Sequence, residues 1–261
     1  MYGFFYSLKE NFSFTRKELT ELLWTSIAFA FIMTAFIKGF MYKPIVLEDT
    51  LWMFVIFIIG VFASLWFHVA LQKIVGIKLG YKVTYTYWLN GVLICLFLSF
   101  LTFGMVPLLS TFIFPGAVTM EHLPKLRLGK FRYGTNSKDI ARVSLAGPLS
   151  HIIIVLILGI VFLSAGLGRS SIVFLLISLN LLIAIYSILP IPKIDMPTKM
   201  DSASDGMGLF FFSRTIYVLC FATILFYALL VWIASVFSLI LAFVMAFIAT
   251  MIYIVVMEQK N

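Results

Sequence analysis

The sequence predicts an all-α, polytopic helical membrane protein, and three observations lead to that prediction. Of the 261 residues, 62% are hydrophobic and only 11% are charged, whereas a soluble domain is nearer half apolar and a quarter charged. The mean hydropathy is +1.10. The apolar residues also lie in long runs, which the alternating strands of an outer-membrane barrel would not produce. Soluble, disordered and collagen-like chains are thereby excluded, and a bundle of about seven or eight membrane segments is expected.

The membrane segments are predicted from six stretches that contain no Asp, Glu, Lys or Arg. A spanning helix needs about 20 apolar residues. Single spans are expected at residues 22–37, 50–72, 143–168 and 170–192. Residues 215–257 are long enough for two spans, with a turn near Ala234. The stretch 83–120 contains Pro and Gly residues that interrupt helices, so it could cross once, cross twice or re-enter.

The basic residues favour a return of the 83–120 stretch to its starting side. With that topology, all but three of the 19 Lys and Arg residues lie on one side, and Lys38, Lys43 and Arg169 lie on the other. Basic residues concentrate in cytoplasmic loops, so we expect cytoplasmic termini and a cytoplasmic loop at 73–82, in a plasma or inner membrane. The net charge of +8 then reflects contact with anionic lipids, and membrane lipids rather than nucleic acid are the expected partners.

A first motif begins at His68, at one end of the 50–72 span, and continues as HVALQKIVGIKLG to Gly80. This run resembles the metal-binding helix of the site-2 protease family of intramembrane zinc metalloproteases. The family pattern is H-E-x-x-H, followed by a small and aliphatic stretch, a basic residue, an aliphatic residue and Gly. The spacing from His68 to the closing Gly80 is the same here.

Two further segments resemble family motifs in the same order along the chain. Ala146, Gly147 and Pro148 resemble the A-G-P-x-x-N helix start. The segment with Pro190 and Pro192 resembles the L-P-x-P-x-L-D-G motif, which supplies the third zinc ligand in the family. With the predicted topology, all three motifs meet near the cytoplasmic face. The resemblance therefore implies a three-span core similar to that of site-2 proteases.

The chemistry of the first motif departs from the family pattern. A zinc hydrolase of this type needs two His residues one helical turn apart, a third ligand and a carboxylate base. The resemblance makes His68 the first ligand, but Val69 stands at the base position and cannot accept a proton. Gln72 stands at the second His position, and its amide oxygen is a poor zinc ligand. Because general-base catalysis is worth about 10²–10⁴-fold in rate, we expect a non-proteolytic protein with no cofactor.

The third-ligand region leaves two aspartates as counterparts of the family Asp. Asp195 has the aligned position but is not followed by Gly, whereas Asp205 is followed by Gly206 ten residues further on. His151 stands where family members carry the Asn after A-G-P. A rebuilt metal site would use His68, His151 and one of the two aspartates. The alternative is that His151 is a polar packing residue at a helix start.

These observations predict three regions and one function, with alternatives. Residues 1–49 should form an interfacial segment and a first span, residues 50–214 a site-2-protease-like core, and residues 215–261 a C-terminal helical hairpin. The predicted function is that of a non-proteolytic relative which binds or regulates client membrane proteins through their transmembrane segments. One alternative is an active intramembrane zinc metalloprotease with a remodelled site. The other is a channel or transporter, which the scarcity of acidic residues within the spans disfavours.

Overall fold

The computed structural model describes residues 3–38, 46–101, 116–123, 135–169, 171–190 and 204–258. These residues are mostly helical. The helices are α1 (Phe4–Asn11), α2 (Arg16–Lys38), α3 (Leu47–Leu79), α4 (Leu89–Leu101), α5 (Ser137–Ser164), α6 (Ile172–Ile188), α7 (Asp205–Phe212), α8 (Arg214–Ile233) and α9 (Leu239–Tyr253). A π-helical turn (Ile254–Glu258) continues α9, and two strands, β1 (Tyr81–Tyr87) and β2 (Gly116–His122), form a small sheet.

Five of the described helices, α2, α3, α5, α8 and α9, are long and apolar enough to cross a membrane. The prediction of a helical membrane protein is confirmed at this level. α6 is apolar but has 17 residues, and α4 has 13. α3 has 33 residues and runs beyond the predicted 50–72 span at both ends. The prediction of a loop at 73–82 is therefore wrong for residues 73–79, which extend α3 by about two turns.

Local sequence signals explain where several helices begin and end. The side chains of Asn136, Ser171 and Ser213 accept hydrogen bonds from backbone N–H groups in the first turns of α5, α6 and α8, which is the usual role of these residue types at an N-cap. α3 ends at Leu79, and its C-cap residue Gly80 has a φ of 88°. A left-handed residue at this position is common after helices and is best tolerated as Gly.

The first long helix begins earlier than the predicted start at residue 22. Thr15 and Glu18 form a capping box, in which the Glu18 carboxylate accepts from the Thr15 N–H at 2.8 Å and the Thr15 hydroxyl accepts from the Glu18 N–H at 3.2 Å. This arrangement satisfies two backbone donors at the helix start. α2 therefore begins at Arg16, and the charged residues of its first turns are part of the helix.

The strands correct the all-α prediction. They pair antiparallel, with Tyr81 opposite His122 and Tyr87 opposite Gly116. β1 has the sequence YKVTYTY, whose aromatic and β-branched residues alternate in burial as expected for a strand with one buried face. Because β1 and β2 are neighbours, the two ends of the 83–120 stretch meet, as a returning segment requires. Residues 102–115 within it lie outside the described residues.

Two hydrophobic clusters hold the long helices together around α3, α5 and α6. One joins α2, α3 and α6 through residues such as Phe57, Val61 and Leu179. The other joins α5, α6, α8 and α9, with Ile177 and the fully buried Tyr227 among its members. Since lipid tails are as apolar as these side chains, close packing rather than water exclusion drives such helix association. The packing places the motif-bearing parts of α3 and α5 side by side.

Candidate functional site

The first motif lies on α3, and its side chains face two different surroundings. His68 and Gln72 are one helical turn apart, so they share a face of the helix, and both are buried. Val69 belongs instead to the apolar cluster that contains Leu65 and Tyr85, and only 1% of its surface is exposed. The position expected to carry a base is therefore occupied by a core side chain.

Asp205, the first residue of α7, contacts both polar residues of this motif. One carboxylate oxygen, Oδ2, lies 3.1 Å from Nε2 of His68. The other, Oδ1, accepts a hydrogen bond of 2.8 Å from the side-chain amide of Gln72. The Asp205 side chain is 9% exposed. Of the two candidate aspartates, Asp205 thus meets the α3 motif, whereas Asp195 lies outside the described residues.

His151 on α5 and Asn180 on α6 extend these contacts across the bundle. Nδ1 of His68 lies 3.0 Å from Nε2 of His151, and Nδ1 of His151 lies 2.9 Å from Oδ1 of Asn180. Five side chains from four helices therefore form one continuous series of polar contacts, of which three are hydrogen bonds and the fourth is the 3.1 Å approach of His68 to Asp205. We call this series, which runs through Gln72, Asp205, His68, His151 and Asn180, the polar chain.

The Asn180 amide group fixes the direction of the hydrogen bond at one end of the polar chain. Its nitrogen donates to the carbonyl of Leu176. Its oxygen therefore accepts from Nδ1 of His151.

Two glycines of the predicted motifs permit the close approach of these elements. A Cβ at Gly147 would lie 2.5 Å from Nε2 of His68 and 2.7 Å from Oδ2 of Asp205. A Cβ at Gly206 would collide with the backbone carbonyl of Ile188 at the end of α6. Both positions therefore require Gly for steric reasons.

The positions of the remaining motif residues add little to the description of the site. Ala146 and Pro148 are buried in α5, next to Gly147. Pro190 follows the C-cap of α6 and is half-buried. Pro192 lies outside the described residues, as Asp195 does. The structure therefore places two of the three motifs beside each other and the third in part.

A second buried network next to the site was not predicted. Lys73, the residue after Gln72, forms an ion pair of 2.7 Å with Glu18 of α2, and both side chains are at most 5% exposed. The Glu18 carboxylate also accepts from the Tyr85 N–H at 2.9 Å, and Glu21 accepts from the Tyr87 N–H at 3.0 Å. The network joins α2, α3 and the outer edge of β1. Burial raises the pKa of the Tyr85 phenol in this environment.

The donor atoms of the polar chain do not fit the zinc that the resemblance implies. Structural and catalytic zinc sites are built from three or four N, S or O donors directed at one point. Here both ring nitrogens of His68 are directed at other side chains, and Gln72 presents its NH₂ group rather than its oxygen to Asp205. Among the described residues, no group of three or more His, Cys, Asp or Glu side chains is arranged to hold a metal ion.

The arrangement joins four helices through buried polar side chains. Both ring nitrogens of His68 and of His151 are directed at other members of the polar chain. The Gln72 carbonyl oxygen is buried without a hydrogen-bond partner in the described part of the chain. No family model, curated protein or solved structure matches the sequence.

Proposed function

We propose that the protein is a site-2-protease-like membrane protein without proteolytic activity, which binds or regulates client membrane proteins through their transmembrane segments. One observation carries the proposal. His68 and Gln72 share the carboxylate of Asp205, while Val69 at the base position faces an apolar cluster. The contacts between motifs are thus retained, and the group that would activate water is replaced by a packing residue.

Direct hydrogen bonds supply the link between helices that a shared metal would otherwise provide. Asp205 joins α7 to α3, and His151 joins α3 to α5 and α6. Interhelical hydrogen bonds in membranes contribute about 0.6 kcal/mol each on average and up to about 1.7. Several such bonds, together with the two hydrophobic clusters, account for a scaffold that is stable without a bound metal ion.

The proposed core consists of the spans that carry the polar chain. α3 and α5 are long enough to span, and α6, which follows α5 along the chain, is a shorter apolar helix. We include in the proposal that the bundle has seven or eight membrane segments and that both termini are cytoplasmic. The basic residues outside the predicted spans support this orientation.

A cleavage assay in vesicles tests the proposal. The full chain is reconstituted with a single-span transmembrane peptide that carries a fluorophore at each end. We expect no cleavage by the wild type, whereas cleavage that disappears in His68→Ala would contradict the proposal and support the active metalloprotease. The variant Val69→Glu/Gln72→His restores the family motif, and we expect it to bind zinc.

Client binding is tested separately with the same vesicles. Energy transfer between a fluorophore on the protein and one on the peptide reports association within the bilayer. We expect transfer above the level measured with an unrelated helical membrane protein at the same density. Equal transfer for both proteins would contradict client binding without affecting the conclusion about cleavage.

A further inference from the structure

An apolar cavity of about 560 Å³ lies between α2, α3 and α4, away from the polar chain. Its lining is almost entirely apolar, and its volume falls in the range of ligand pockets, roughly 300–1,000 Å³. The residues that define it include Trp24, Ala28 and Phe31 on α2, Phe54 on α3, and Leu93 and Phe100 on α4.

The cavity opens at the outer surface of the helices rather than towards the interior of the bundle. Trp24, Leu93 and Phe100 each expose more than half of their surface, although all three line the cavity. α2 is one of the helices that can span a membrane, so this opening lies at the depth of lipid tails. Water would find few polar partners in it, and apolar cavities of this kind remain dry. Hydrocarbon is therefore the chemically suitable occupant.

A cationic residue marks one end of the cavity. Lys17, Glu21, Trp24, Ala28 and Phe31 follow one another at intervals of three or four residues, so they form one face of α2. The last three line the cavity. The Lys17 side chain is 81% exposed and lies 3.9 Å from Glu21. Along the helix axis it is about 10 Å from Trp24, which places its ammonium group at headgroup depth.

The dimensions of the cavity match one leaflet of a bilayer. Its wall on α4 extends from Leu89 to Phe100, which is about 16 Å at 1.5 Å per residue. The hydrocarbon core of a bilayer is about 30 Å thick, so one leaflet contributes about 15 Å. An acyl chain could therefore lie along the full wall with its headgroup near Lys17.

We propose that this cavity binds one acyl chain of an anionic phospholipid, with the lipid phosphate at Lys17. The walls select hydrocarbon, and the exposed ammonium group selects a negative headgroup. A basic residue near the membrane surface contributes about 1 kcal/mol to binding of anionic lipid, which corresponds to about fivefold in affinity. This site does not depend on the proposed function, since it shares no residue with the polar chain.

Native mass spectrometry of the purified full chain tests the site. Delipidated protein in detergent is titrated with phosphatidylglycerol or with phosphatidylcholine of the same acyl composition. The variant Ala28→Trp fills the cavity from α2, and Leu93→Trp fills it from α4. Ile157→Trp, at an exposed position on α5, is the matched control. We expect the wild type and the control to bind one more tight phosphatidylglycerol than either cavity variant.

The headgroup contact is tested by Lys17→Gln, with the exposed Lys138→Gln as its control. We expect Lys17→Gln to lower the preference for phosphatidylglycerol over phosphatidylcholine about fivefold, and Lys138→Gln to leave it unchanged. Equal lipid binding by the wild type and by whichever cavity variant retains the wild-type unfolding temperature would overturn the site. No preference of the wild type for phosphatidylglycerol would overturn its anionic specificity. Retention of no lipid by the wild type, with crosslinking of a transmembrane peptide at Leu93, would assign the cavity to a protein segment instead.

Discussion

Replacement of Asp205 tests the polar chain, because a truncated variant and a variant of the same shape as Asp should differ widely in stability. Asp205→Ala removes both contacts of the carboxylate and leaves His68 Nε2 and the Gln72 amide without their partner. Asp205→Asn keeps both contacts, since its oxygen can accept from Gln72 and its NH₂ can donate to His68.

The expected difference between the two variants follows from the two lost contacts. Two interhelical hydrogen bonds at the average membrane value contribute about 1 kcal/mol together. Two buried groups left unsatisfied cost about 1–3 kcal/mol each. Since this penalty already includes the lost bonds, we expect Asp205→Ala to lose about 2–6 kcal/mol of unfolding free energy and Asp205→Asn less than about 1 kcal/mol. For a protein of this size, about 1 kcal/mol shifts the unfolding temperature by roughly 2–4 °C.

Thermal unfolding in detergent measures this difference. A thiol-reactive fluorophore reports unfolding as the buried Cys95 becomes accessible. Glu121→Ala, which removes an exposed carboxylate, is the control and should unfold with the wild type. Equal unfolding temperatures for Asp205→Ala and Asp205→Asn would refute the structural role of the Asp205 contacts.

Two further substitutions test the packing around the site by the same unfolding assay. Gly147→Ala places a methyl group against the His68 ring, and overpacking of this kind costs about 1–3 kcal/mol. The control is Gly3→Ala, whose added methyl group meets no atom within 4 Å and should not lower the stability in this way. Equal losses in the two variants would refute the steric argument. Glu18→Ala leaves the buried Lys73 ammonium without its carboxylate at a cost of about 3–5 kcal/mol. Glu18→Met/Lys73→Met should recover only part of that loss, since the Thr15 and Tyr85 N–H groups still lack their acceptor; a double variant as unstable as Glu18→Ala would show that the ion pair is not the cause.

The membrane helices could be predicted because the bilayer imposes a length on every span. Backbone polar groups in lipid must be satisfied within the helix, so an apolar run of about 20 residues has few other outcomes. The predicted ends were less accurate. α3 continues through Lys73 because that side chain is neutralised by Glu18, and no local feature of the 73–82 segment reveals its partner.

The sheet was missed because its strands lie at the ends of an apolar stretch that was interpreted as membrane-spanning. The alternation of Tyr81, Val83, Tyr85 and Tyr87 was the available signal. Its pairing with β2 joins positions about 30 to 40 residues apart, and such long-range pairing is set by tertiary structure as much as by local propensity.

The candidate site was predicted in part. His68 and Gln72 were singled out by the resemblance to the H-E-x-x-H motif, and His151 by its place after Ala146-Gly147-Pro148. Asn180 was overlooked, although an amide within an otherwise apolar helix is a signal for an interhelical hydrogen bond. The sequence could not distinguish Asp205 from Asp195, because the length of a loop does not determine which of its residues returns to the site.

Titration of the purified wild-type protein with zinc tests the central claim most directly, with His68→Ala as the comparison. The account predicts that zinc binding remains well below one equivalent per chain and does not differ between the two proteins. One equivalent of tightly bound zinc in the wild type, lost in His68→Ala, would contradict it and would identify a rebuilt metalloprotease site.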